Sequence, residues 1–67
     1  MNASQLQQML RATLSIHVGD EMAQYILAKA AQGDRSFPIL ATDARTGQPL
    51  RPTLDSTLFA DPQLLLF

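Results

Sequence analysis

The sequence predicts an α+β fold: a two-helix hairpin packed on a short β-hairpin, with a short C-terminal apolar segment. Three observations point there. Apolar residues recur at helical spacing in two blocks, Leu6 to Leu14 and Met22 to Ala30. From Phe37 the chain changes to short apolar and β-branched runs separated by turn formers. Hydrophobic content of 46% against 16% charged residues is that of a chain that folds rather than of a disordered one. Sixty-seven residues make one domain, and a domain of this size buries only about 60% of its unfolded surface. Net stability of about 0.05 to 0.15 kcal/mol per residue comes to roughly 3 to 10 kcal/mol. With no cysteine, neither a disulfide nor a thiolate metal site can add to it. Association with a partner, as a homodimer or a subunit of a complex, is the expected supplement.

The elements follow in order. Ser4 and Gln7 have capping-box spacing, and Leu6, Met9, Leu10, Thr13 and Leu14 form one apolar stripe, with Gln5, Gln8 and Arg11 mainly on the solvated side. The β-branched pair in Ser15-Ile16-His17-Val18, followed by Gly19, ends this helix near Leu14 to His17. A second helix starts at Gly19 or Asp20. Asp20 and Glu21 place negative charge at its positive end, and Met22, Ala23, Ile26, Leu27 and Ala30 supply its apolar face. Lys29 suits the last turns and Gly33 the C′ position. The spacing then predicts a strand over Phe37–Thr42, a turn over Asp43–Gln48 and a returning strand over Pro49–Leu54. Pro38, Pro49 and Pro52 cannot donate to a ladder, so the strands should be short and edge-like. Thr53 or Asp55 should cap a single turn through Ser56–Phe59. Pro62 biases Asp61 away from helix and sets off the end of the chain. The expected organisation is one small α+β domain over 1–62 and an apolar tail over 63–67.

Little in this pattern points to catalysis. His17 is the one histidine, and no serine lies in a nucleophile motif. A lone His between Ile16 and Val18 at a helix end reads as a packing or capping residue, not a metal ligand. Gly19, Gly33 and Gly47 are too dispersed for a phosphate loop. Asp43 and Asp55 fit turn and cap positions better than a catalytic carboxylate pair. Met9 and Met22 sit at helical spacing with other apolar residues and read as core. No enzymatic activity, cofactor or metal is expected. Five basic residues against six acidic, spread along the chain, disfavour direct nucleic-acid binding. A helix-turn-helix across residues 14–20 would also place Asp20, Glu21 and Gln24 where a recognition helix wants donors. The N-terminal residues lack the charge and apolar run of a signal peptide, and no stretch approaches the ~20 apolar residues that span a bilayer, so a cytoplasmic protein without a membrane association is expected.

The tail carries the sharpest signal. Gln63-Leu64-Leu65-Leu66-Phe67 resembles the short Gln-Leu-x-Leu-Phe motif by which bacterial, plasmid and phage replication and repair proteins dock onto the DNA polymerase sliding clamp. The match covers five of 67 residues and says nothing of the fold. From the content of Gln, Leu and Phe, a four-position match somewhere in the chain arises by chance with a probability of about 0.01. The resemblance implies that Gln63 hydrogen-bonds in a small polar pocket, that Leu64 lies along the groove, and that Leu66 and Phe67 fill a hydrophobic pocket. Leu65 takes the variable position, where it departs from the small or polar residues common there. A run of three leucines and a phenylalanine equally fits a buried strand, added to the hairpin edge of the same chain or of a dimer mate. Two functions are thus expected: a small accessory or regulatory interaction module that binds a larger protein, with the sliding clamp as its specific candidate, or an assembly subunit whose tail completes a homo-oligomer interface.

Overall fold

The structure, a computed structural model, describes residues 1–59. Ala60–Phe67 lie outside the described residues, and with them the predicted tail.

The fold is α+β, in the order α1 (Ala3–Leu14), β1 (Ile16–His17), α2 (Asp20–Ala31), β2 (Ser36–Pro38), β3 (Ala41–Asp43), β4 (Pro49–Leu50), β5 (Thr53–Asp55) and a closing 3₁₀ turn, Ser56–Leu58. The cap of helix α1 lies two residues before the expected one. Asn2, not Ser4, is the N-cap: its side chain accepts from the Gln5 amide at 2.8 Å, and the Gln5 side chain accepts from the Asn2 amide at 2.8 Å. That reciprocal pair satisfies two of the donors a helix start leaves open. Gln7, the residue expected to complete the box with Ser4, reaches instead across to α2. Its amide donates to the Val18 carbonyl and to Asp20 Oδ1, both at 3.0 Å.

Ser15 ends α1 with φ +55°, the one described non-glycine residue in the left-handed region. A serine tolerates that conformation where a β-branched residue would not. The turn it makes sends the chain into β1, which pairs antiparallel with β3, Ile16 facing Asp43 and His17 facing Thr42. This strand was absent from the expected layout. Helix α2 starts after Gly19 and carries Asp20 and Glu21 in its first turn and Lys29 in its last. Gly33, at φ +88°, closes it: the Gly33 N–H donates to Ala30 and the Asp34 N–H to Lys29, the two bonds of a Schellman motif.

The expected β-hairpin exists but is bent into two short ladders, β2 with β5 and β3 with β4. Both keep one register, in which residue i faces residue 91 − i. The Ile39 N–H donates to the Pro52 carbonyl and carries the register across the bend. Pro52 has no N–H to return, which is why the ladder breaks there. With β1 added, the far half becomes a three-stranded sheet in the order β1-β3-β4.

The core lies between helices and strands. Leu6, Leu10, Ile16, Val18, Ala23, Ile26, Phe37, Ile39, Ala41, Leu54 and Phe59 are buried together, and Met9, Met22, Leu27 and Ala30 pack against them. The predicted helical stripes thus do the packing, except that Leu14 is 43% exposed and Thr13 exposed. Ser56 is the buried polar residue among those described. Its hydroxyl donates to the Asp34 carbonyl at 2.6 Å and tethers the 3₁₀ turn to the loop after α2. No buried side-chain polar atom among the described residues lacks a partner, as a marginal domain requires.

Candidate docking surface

The four residues predicted to bind a partner, Gln63, Leu64, Leu66 and Phe67, lie outside the described residues. The described surface nonetheless holds a concave face, built where α2 meets the bend of the hairpin. Residues 37, 39 and 41 point inward and are buried, so Pro38 and Leu40 between them point outward. Leu40 is 58% exposed, and Tyr25 on α2, at 43%, faces the same side. With Met22, Pro38, Ile39 and Arg51 they line an open groove of about 360 Å³.

Tyr25 is fixed from two sides. Its ring meets the buried Phe37 ring edge-on, with centroids 6.2 Å apart at 87°, the favoured geometry for an aromatic pair. Lys29 Nζ lies 5.8 Å from the Tyr25 centroid and 3.0 Å from Asp34 Oδ2. The hydrogen bond and charge of Asp34 raise the Lys29 pKa above its ordinary 10.5. The ammonium therefore stays charged through the physiological range and holds the ring as a cation–π partner. This aromatic platform is preformed, so little side-chain freedom is left to lose on binding.

His17 is exposed on β1 and neither packs in the core nor caps a helix, contrary to expectation. Its Nδ1 lies 3.0 Å from Arg11 Nη2. A guanidinium can only donate, so Nδ1 is the acceptor. Arg11 and His17, with Ser4, Gln7 and Gln8, line a polar hollow of about 260 Å³. A third hollow, of about 280 Å³, lies between His17, Gly19, Leu40, Ala41 and Thr42. It shares His17 with the polar hollow and Leu40 with the apolar groove.

The two aspartates read as structural are so. Asp43 Oδ1 accepts the amides of Arg45 and Thr46 in the β3–β4 turn. Asp55 Oδ1 accepts the amide and the hydroxyl of Thr57 at 2.9 and 2.8 Å. Among the described residues no three His, Cys, Asp or Glu side chains converge as metal ligands, and no helix is long and apolar enough to cross a membrane. The groove itself was missed at the level of sequence. Its signal was there: Leu40 is a large apolar residue on the outward phase of an inward-alternating run. Comparison with known proteins returns no match, whether to a family model, to a curated protein or to a solved structure.

Proposed function

We propose that this protein is a small accessory or regulatory interaction module that docks onto a larger protein through Gln63–Phe67, and that the bacterial DNA polymerase sliding clamp is that partner. The observation that carries the proposal is the residue order Gln-Leu-Leu-Leu-Phe. Burying Leu64, Leu66 and Phe67 contributes roughly 1.5 to 3 kcal/mol each before ordering costs. A micromolar contact, about 8 kcal/mol, is thus within reach of the peptide alone. The described domain supplies a carrier: Phe59, fully buried, anchors the chain directly before the segment that holds the tail.

The test is a titration of purified bacterial sliding clamp with the intact chain, followed by calorimetry or fluorescence anisotropy. Binding in the micromolar range is expected, with a loss of at least about tenfold for Gln63→Ala or Phe67→Ala, since anchor residues dominate such contacts. Equal binding after deletion of residues 63–67 would sink the proposal, as would no binding by the intact chain at several hundred micromolar.

One observation favours the assembly alternative. Leu58, five residues before the tail in sequence, is 48% exposed and adds apolar surface to the described end of the domain. Sedimentation equilibrium decides it: a dimer that dissociates when residues 63–67 are removed assigns the tail to self-assembly.

A further inference from the structure

The three hollows adjoin through shared residues, His17 between the polar hollow and the third and Leu40 between the third and the apolar groove, so that they follow one another as a path whose chemistry changes from end to end. At one end lie Tyr25, Met22 and Leu40; at the other, Arg11 and His17. Arg51 lines the apolar end. The lining includes two arginines and a histidine and no acidic residue, on a chain whose acids outnumber its Lys and Arg by six to five. Of the acids on neighbouring elements, Asp34 holds Lys29, Asp43 holds its own turn and Asp20 accepts from the Gln7 amide, while Glu21 stands exposed in the first turn of α2, outside the lining. Neither Arg11 nor Arg51 meets a carboxylate among the described residues. Because the Nδ1 of His17 accepts from Arg11, a neutral His17 carries its proton on Nε2. This end of the path therefore offers donors to an anion.

We infer that this path is a second docking site, independent of the tail, for an extended acidic–apolar segment of a partner protein. One large apolar side chain of that segment enters the groove between Tyr25, Met22 and Leu40. A carboxylate beside it meets Arg51, and a second, several residues along, meets Arg11 and His17. Charge complementarity selects this occupant, because a neutral apolar peptide brings neither guanidinium group a carboxylate. Tyr, Met and Arg are also the residues enriched where interfaces bury their energetic centre.

Selection of a phage-displayed library of random dodecamers on the immobilised intact chain tests this. Enriched sequences should place Leu, Ile, Phe or Met within a few residues of Asp or Glu. The corresponding synthetic peptides should bind the intact chain and bind Leu40→Asp and Arg51→Glu at least about tenfold more weakly. Arg11→Glu should weaken them less, and raising salt from about 50 to 500 mM should weaken the intact chain more than Arg51→Glu. All three substituted residues are exposed, so circular dichroism should show the fold intact. No enrichment, enrichment of sequences without carboxylates, or equal binding by Leu40→Asp overturns the inference. So does displacement of the selected peptides by a synthetic peptide of residues 60–67 at comparable affinity, which would make the occupant this chain's own tail. A dimer that Leu40→Asp converts to monomer overturns it in favour of a second copy. None of these readouts uses the sliding clamp, so the inference and the tail proposal fail separately.

Discussion

Asp55 shows how a single exposed side chain can tie pH to fold. The Thr57 amide and hydroxyl hold its carboxyl below the ordinary value of 3.8, with the charge of Arg35 adding in the same direction and desolvation opposing. A depressed folded-state pKa means stabilisation that is complete above the unfolded-state value and lost as pH falls through the lower folded value. Asp55→Asn should therefore flatten the dependence of stability on pH below about pH 4, relative to the intact protein, in urea melts taken through the acid range. An identical acid slope in both proteins would show that the carboxylate of Asp55 is not what the turn responds to. The cap was legible in the sequence because an Asp directly before a short turn suits capping, its carboxylate accepting the amide two residues on. The partner of His17 was not, since Arg11 lies on a different element and the pairing depends on how α1 meets β1.

Elements were legible where one period ran long enough to declare itself. Both helices appear within a residue or two of their expected limits, and the turn at Asp43–Gln48 falls where its residues placed it. Strand β1 was missed for a physical reason: it is two residues long, and its partners Thr42 and Asp43 lie some 25 residues away. Its trace was the apolar–polar–apolar order of Ile16, His17 and Val18, of which only His17 is exposed. The expected capping box falls two residues late because Ser4 and Gln7 satisfy the same pattern as Asn2 and Gln5; what separates them is that Gln7 is needed elsewhere. By bonding both Val18 and Asp20 it fastens α1 to the start of α2. Gln7→Ala should cost about 1 to 2 kcal/mol, given two lost hydrogen bonds and a partly buried carbonyl left open, and lower Tm by roughly 4 to 8 °C per kcal/mol for a domain of this size. Hydrogen exchange of the first amides of α2 should accelerate beyond the global change. Exchange that changes only in step with global stability would instead show that the two helices do not need this fastening.

At the scale of the molecule, the core draws on both ends of the described chain, from Leu6 to Phe59. Phe59 is fully buried beside strands and helices whose own residues are far apart in sequence. Phe59→Ala should cost about 3 to 5 kcal/mol, against a total of roughly 3 to 10 kcal/mol. The variant should be largely unfolded near body temperature, with far-ultraviolet dichroism and Tyr25 fluorescence lost together. Retention of helix while the tyrosine signal is lost would show that the helices stand without the hairpin. The docking face belongs to this scale too, and so was the least legible part. It needs Tyr25 from α2, Leu40 from the bend and Arg51 from the returning strand, and no local pattern places these three together.

The lateness of Phe59 also constrains how this protein comes into being. At about 5 to 20 residues per second, a ribosome takes roughly 3 to 12 s to add residues 1–59, whereas isolated helices form and melt within about a microsecond. The N-terminal helices are thus made early and left without their strands: β1 waits for Thr42 and Asp43, and the core waits for its last aromatic ring. Until then Leu6, Leu10, Val18 and Ile26 lack the strand and Phe59 partners that complete their burial. Completion of this core therefore waits until Phe59 has been made.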